Sequence, residues 1–328
     1  MKWLITGGCG FIGTSLISRI LSTTPDADIR ILDNLSVGTR EDLAEVCGFE
    51  EVESHELDNC RGVQLVLGDI KDISLCQEAS RDMDCIVHLA ANTGVGPSVE
   101  NPRIDMEINI IGTFNMLEAA RCNNVSQFVF ASSGAPAGVV EPPIHEEMAP
   151  HPVSPYGASK LAGEGYCSAY FQSFSVNTTV LRFGNVYGPR SKHKSSVVAK
   201  FIRRAMAGLQ LEIYGDGSQT RDFIYIDDLI EAILLSVSSS SAAGEVFQIA
   251  TNNETTLNQL TNVLSDVLVR AGFARPEVFN KATRLGDVKR NYSDTSKANR
   301  LLGWKACTKL ETGLLRTVDW FAQGAEST

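Results

Sequence analysis

The sequence predicts a doubly wound α/β fold, a parallel sheet covered by helices on both faces, followed by a smaller C-terminal domain. Three observations point there. Strand-length apolar segments alternate with helix-length segments through the first half of the chain. Those strands are apolar nearly throughout, and a glycine-rich turn joins the first strand to the first helix. A strand with no polar face must be covered on both sides, which crossover helices on a parallel sheet achieve. The strands read as WLIT, DIRILD, VQLVLGD, CIVHLAA, QFVFASS and TTVLRFGNV. Between them, IDMEINIIGTFNMLEAAR repeats apolar residues three and four apart, the helical spacing. Right-handed crossovers are expected. Residues 41–62 read as an acidic, irregular loop, and SVSSSSAAG at 236–244 as a flexible surface connection. After about residue 180 the strict alternation fades, with helices near 196–207, 227–237, 256–271 and 310–322 among short strands. The expected division is therefore 1–180 and 181–328, with some later segments returning to the first domain.

A chain of 328 residues can bury the core of two domains. Lys and Arg number 29 against 39 Asp and Glu, a net charge of −10, which argues against a nucleic-acid or anionic-membrane surface. A phosphorylated ligand would then need locally placed arginines and backbone amides. The eight cysteines show no C-x-x-C and no metal-ligand spacing, so no metal is expected and they read as buried thiols of a reducing compartment. Only Met1 and Lys2 precede the first strand, which does not read as a signal peptide. No apolar run approaches the ~20 residues of a membrane helix. The Asn-x-Ser/Thr triplets at Asn34, Asn124 and Asn177 then read as chance, and the expected compartment is the cytoplasm.

The first strand runs into ITGGCGFIGTSLISRIL, where Gly7, Gly10 and Gly13 are spaced G-x-x-G-x-x-G. Bare backbone there lets a pyrophosphate reach the free N–H groups and positive dipole end of the following helix. Gly7, Gly10, Phe11, Ile12 and Gly13 are thus candidates for a Rossmann-type dinucleotide site. Twenty residues after Gly13 the second strand ends at Asp33, whose carboxylate would accept from adenine-ribose hydroxyls and repel a 2′-phosphate. No arginine follows it immediately, which favours NAD over NADP; the alternative is that Asp33 only caps the turn DNLSVG. Asp69 ends the third strand and would meet the adenine or start a turn. Asn34, Ile70, Leu89, Ala90 and Ala91 occupy the neighbouring strand ends and join the cofactor candidates.

In SPYGASK, Ser154 can cap a helix and Pro155 suits its first turn, so Tyr156 and Lys160 share a face. Alone, the pair reads as surface decoration. Together, TGGCGFIG, Asp33 and SPYGASK resemble the extended short-chain dehydrogenase/reductase superfamily, its NAD-dependent epimerase/dehydratase family, and within it the sugar-nucleotide epimerases of the UDP-glucose 4-epimerase type. The likeness continues through VHLAA, EINIIGTFNMLEAAR, FVFASS, LRFGNVYGPR, GDGSQTRDFIYIDDL and RLGDVKRNYSDTSKANRLLGW.

The resemblance implies bound NAD, a UDP-sugar substrate and a homodimer. It makes Tyr156 the acid–base, Lys160 its support and a holder of the nicotinamide ribose, and Ser133 the hydroxyl facing the sugar oxygen, with Ser132 the competing assignment. A phenol with pKa ~10 would be drawn down by the ammonium and the nicotinamide cation. Asn109 would brace the site from among the cofactor positions, or merely cap its helix. Asn185, Arg221, Arg284 and Asp287 fall on UDP positions, where an arginine fork suits a diphosphate. Asn291 falls on the position that limits the C2 substituent, Tyr292 being the alternative register, so that N-acetylated sugars are expected to be accepted beside UDP-glucose. Arg182 and Arg190 read as structural ion pairs and His88 as a core or cofactor-adjacent residue. Gly157, Gly163 and Gly165 imply close packing. The chain departs from the family after Ser133, reading GAPAGVVEPP where Val-Tyr-Gly is usual. Gly134 and Ala135 also stand where dehydratases carry Asp-Glu. The implied activity is C4 epimerisation through a 4-keto sugar. Its alternatives are a nucleotide-sugar reductase, dehydratase or decarboxylase, and a non-catalytic NAD-binding regulator.

Overall fold

The computed structural model describes residues 1–57, 59–283 and 288–326. In chain order, β1 (Lys2–Thr6), α1 (Phe11–Thr23), β2 (Asp28–Asp33), α2 (Arg40–Ala44), β3 (Glu50–Glu51), β4 (Val63–Leu67), α3 (Ile73–Ala79) and β5 (Cys85–His88) come first. Next are α4 (Val95–Glu100), α5 (Pro102–Met106) and α6 (Gly112–Cys122), the last two joined by a π-helical turn at Glu107–Ile111, then β6 (Gln127–Ser133), α7 (Pro155–Phe174) and β7 (Thr178–Phe183). The remainder holds β8 (Asn185–Tyr187), α8 (Val197–Met206), β9 (Leu211–Tyr214), β10 (Thr220–Arg221), β11 (Phe223–Tyr225), α9 (Ile226–Ser238), β12 (Val246–Ile249), β13 (Thr255–Thr256), α10 (Leu257–Arg270), β14 (Val278–Lys281), α11 (Ser296–Leu302) and α12 (Leu310–Glu326).

Eight parallel strands form one sheet in the order β12-β7-β6-β5-β1-β2-β4-β3. Its strands are apolar on both faces for the reason the sequence suggests. Trp3 and Ile5 enter one core with α1 and α9, while Leu4 between them enters the other with Leu32, Ile86, Phe128 and α6. The chain leaves β1 toward β2 on one side and later returns to β5 on the other. Thr6 consequently pairs with both Leu32 and His88, and the crevice for a ligand opens above these strand ends.

Two loop expectations are corrected. The 41–62 stretch carries the end of α2, whose Thr39 and Asp42 form a reciprocal capping box, then β3 and a tight turn at Ser54–Glu56. The serine-rich 236–244 stretch is built in. Its hydroxyls bond back to helix carbonyls (Ser236 Oγ to Ile233 O, 2.8 Å), and buried Ala242 accepts from Thr179 Oγ1 at 3.0 Å. The short apolar run at β12, a later segment that returns to the sheet of the first half, completes it against β7.

The site helix α7 is held by a buried ion pair. Glu164 accepts two hydrogen bonds from Arg182 of β7, at 2.9 and 2.7 Å, and a third from Ser132 Oγ at 2.5 Å; both ion-pair side chains are only 6% exposed. Removing one member strands the other charge in the core, at about 3–5 kcal/mol. Glu164→Gln should therefore lower the urea midpoint by that equivalent, whereas a Glu164→Met/Arg182→Met double change should recover most of the loss. A single variant within about 1 kcal/mol of wild type would show that the charge is hydrated after all.

Candidate active site

A cleft of about 730 Å³ runs from the glycine turn, along the ends of β2, β4 and β5, to the start of α7. At its floor Gly7 sits at φ +68, and a Cβ there would come within 2.9 Å of the Ala90 nitrogen. A Cβ on Gly13 would lie 2.5 Å from the Gly7 carbonyl. Both positions demand glycine, one for the turn and one for close approach of helix to strand. The N-terminus of α1 has no side-chain cap and no acidic residue in its first turn. Its free N–H groups and dipole therefore face the cleft uncommitted, as a diphosphate requires.

Asp33, Asn34, Asp69, Ile70, Leu89, Ala90 and Ala91 line the same cleft with Gly7, Gly10, Phe11, Ile12 and Gly13. Asp33 accepts from the Cys9 and Leu35 backbone N–H groups at 2.9 and 2.8 Å. Burial raises its pKa, and those two hydrogen bonds oppose the rise. Asn34 donates to Asp69 at 3.3 Å, joining the ends of β2 and β4.

At the other end, Ser154 caps α7 by accepting from Gly157 N at 3.1 Å, with Pro155 in the first turn. Tyr156 and Lys160 project from one face of that helix into the cleft. Lys160, almost wholly buried, donates to the Ala131 carbonyl at 2.9 Å and lies 4.9 Å from the centre of the Phe130 ring. Gly163 permits this packing, since a Cβ would come 2.5 Å from the same ring, and Gly157 packs on the Ala135 carbonyl. Gly165 faces open space, contrary to the close-packing expectation. Ser132 is occupied with Glu164, while the Ser133 hydroxyl shares a hydrogen bond with the Tyr156 phenol.

The electrostatics differ from the expectation that the ammonium draws the phenol down. Burial pushes the Tyr156 phenol up to about 12, the Ser133 hydrogen bond opposing and the Asp105 carboxylate adding to it. Burial lowers Lys160 to about 8, partly offset by Asp105 and Glu164. His88 is a core residue between Thr6 and Thr113 (2.8 and 3.1 Å), kept neutral by burial, which lowers it to about 3.

Three further expectations change. Asn109 does not line the cleft. It is buried behind it, donating to Asn92 O, Asp105 and Ser159 and accepting from Asn92 N at 2.8 Å, so it braces the wall. Asn185 does line the cleft, at the start of β8. Arg221 and Asn291 lie away from it: Arg221 donates to the Thr220 and Val288 carbonyls, and Asn291 N donates to Thr220 Oγ1 at 3.2 Å. Arg284 and Asp287 lie outside the described residues. Arg182 makes the expected ion pair, but Arg190 lines the cleft instead, together with His193 and Lys194, which the sequence reading missed. The available signal was RSKHK, a basic run in an acidic chain.

The model of the NAD dependent epimerase/dehydratase family matches residues 3–250. The chain belongs to this family. The UDP-glucose 4-epimerase of Mycolicibacterium smegmatis is 33% identical over 326 residues, covering 98% of each chain. The UDP-glucose 4-epimerase of Thermotoga maritima, solved with UDP-glucose, superposes with a TM-score of 0.87 at 33% identity, covering 99% of this chain and 100% of that one. The UDP-glucose 4-epimerase of Thermus thermophilus, solved with NAD, gives 0.85 at 34% identity, covering 98% and 99%. The cofactor of this family member is NAD, and the uncapped α1 terminus and bare glycine floor fit its diphosphate. Asp33→Ser should narrow the preference for NAD over NADP in equilibrium binding, because a carboxylate at the end of β2 would repel a 2′-phosphate. Equal binding of both cofactors by the unaltered protein would remove that role from Asp33.

Proposed function

We propose that the protein is an NAD-dependent C4 epimerase of a UDP-sugar, interconverting UDP-glucose and UDP-galactose and accepting N-acetylhexosamine forms. The observation that carries this reading is the cluster of Tyr156, Ser133 and Lys160 at one end of the cleft whose other end is the glycine turn. Its relatives crystallised with UDP-glucose and with NAD support it. NAD, when bound, supplies a hydride acceptor and donor for C4. Tyr156 takes the proton of the 4-hydroxyl and returns it after the 4-keto sugar has turned its other face. Ser133 donates to the same oxygen, and Lys160 holds the nicotinamide ribose. Asn109 acts at one remove, fixing Asn92 and Ser159. Asn185 receives the nucleotide, and the resemblance adds Arg284 and Asp287 to it. In this reading residues 1–180, joined by later segments that return to them, hold the cofactor and the rest of 181–328 the sugar nucleotide, in the cytoplasm.

Among the described residues no helix is long and apolar enough to cross a membrane. Val95, Val99, Ile104 and Ile111 on the α4–π-turn segment, and Tyr166 and Phe174 on the adjacent α7, are nonetheless exposed. An apolar face of that kind supports a homodimer.

General acid–base catalysis is worth roughly 10²–10⁴ in rate. Tyr156→Phe should lower turnover of UDP-galactose by at least that range while NAD stays bound; a variant within tenfold of wild type would sink the mechanism. A phenol held near 12 by burial is protonated at neutral pH. Only an added positive charge beside it can bring the base form into reach. Phenolate absorbance, taken as wild type minus Tyr156→Phe, should therefore titrate at lower pH with bound NAD than with bound NADH. Identical titrations would mean that the nicotinamide charge does not reach the phenol.

A further inference from the structure

The segment between β8 and α8 lines the cleft as a basic strap. It is a built structure. Arg190 takes a left-handed φ of +67, the Ser191 hydroxyl bonds back to Gly188 O at 2.6 Å, and Lys194 N closes a turn on Ser191 O at 3.0 Å. From α8, Arg203 donates to the Lys192 and Lys194 carbonyls at 2.7 and 2.8 Å, supporting the strap from behind. Two of its side chains reach across to the α2 region. Lys192 pairs with Asp42 at 2.6 Å and Glu45 at 3.1 Å, and His193 approaches Asp42 at 3.1 Å. Asp42 is itself fixed by its capping box with Thr39.

These contacts leave Lys194 turned inward without a carboxylate partner. Lys194 lines the cleft, its ammonium 5.7 Å from the centre of the Phe11 ring. Phe11 is the first residue of α1, at the terminus whose N–H groups carry no cap. The Lys194 ammonium makes no hydrogen bond or ion pair with any described residue. The side chain is half-buried; burial lowers its pKa, and no carboxylate offsets that shift. An ammonium without a counter-ion, facing the positive end of a helix, is unfavourable unless an anion lies between them.

We propose that the strap is a cofactor clamp, in which Lys194 binds the diphosphate of the dinucleotide opposite the α1 N-terminus and the ion pairs of Lys192 and His193 with Asp42 hold the strap in place. This rests on the reading that the dinucleotide occupies the cleft. A second diphosphate, that of the sugar nucleotide, offers the same chemistry. The position of Phe11 on the glycine turn favours the cofactor.

The test is the rate at which bound NAD leaves the purified protein after dilution, with the affinity for UDP measured separately by calorimetry. A charge-assisted hydrogen bond to a diphosphate corresponds to roughly a tenfold effect or more. Lys194→Met should speed NAD release by at least that factor, Lys194→Arg should restore retention, and the affinity for UDP should change less than about threefold. Asp42→Asn should speed release in the same direction, by freeing the strap. Thermal unfolding of each variant with saturating NAD establishes that the fold is retained. Unchanged NAD release in Lys194→Met would overturn the clamp, as would a loss of UDP affinity with NAD retention intact. Unchanged release in Asp42→Asn would overturn the latch. If the unaltered protein bound no NAD at all, the cofactor reading itself would fall, an outcome distinct from the others.

Discussion

The end of β6 and the first three turns of α7 meet residue by residue, and the active-site geometry depends on that seam. Phe130 receives Gly163 and lies beneath the Lys160 ammonium, the Ala131 carbonyl accepts from that ammonium, Ser132 bonds Glu164, and the Ser133 hydroxyl bonds the Tyr156 phenol. Residues 156, 160 and 164 recur at the helical interval, so fixing one fixes the stripe. The strongest fixture is the Glu164–Arg182 pair, which draws β7 into the same seam. A buried pair of this kind adds little net stability over a well-packed apolar one. Here its geometric consequence matters more, because it leaves α7 a single depth and rotation on the sheet.

That placement has an electrostatic consequence. A lysine pinned under the sheet edge loses hydration, and Asp105 and Glu164 only partly replace it. The phenol one turn earlier is desolvated too, and the nearby carboxylate works against its ionisation. The chain alone thus holds a protonated tyrosine suited to donating a hydrogen bond. With Lys160 already in place the phenol stays high, so an added cation beside it would be needed to bring it down. Under the acid–base role proposed for Tyr156, proton abstraction would then be coupled to the oxidised cofactor, since the reduced nicotinamide carries no positive charge.

Much of this was legible in the sequence. The glycine spacing, the doubly apolar strands and the Ser-Pro start of α7 each have one physical reading that the fold adopts. What stayed hidden follows from long-range contacts. Nothing local distinguishes Ser132 from Ser133; their separation arises because successive strand residues face opposite sides and only one meets Glu164. Arg182 and Arg190 look alike in sequence, yet one meets a buried carboxylate and the other the cleft. The serine run at 236–244 has a loop composition, but its hydroxyls are satisfied by helix carbonyls and its Ala242 by β7. Asn109 carries the polarity of a ligand residue and spends it on the protein's own backbone.

The charge distribution adds a constraint that composition alone conceals. With a net charge of −10, the mean field of the protein repels the two anionic ligands its family uses. Binding must therefore rely on short-range groups that act within a Debye length of about 8 Å in physiological salt. The α1 terminus provides neutral donors and a dipole, which add affinity without formal charge. The strap adds formal charge, but most of it is neutralised at once: Lys192 and His193 face Asp42 and Glu45. Lys194, with no carboxylate beside it, is directed inward, and Arg190 also lines the cleft. Spending the outer cations on the first half of the chain while aiming the inner ones at the cleft makes the cofactor site a joint property of both halves. Closure of the strap and occupation of the cleft by an anion then favour one another, because each supplies the counter-charge that the other lacks.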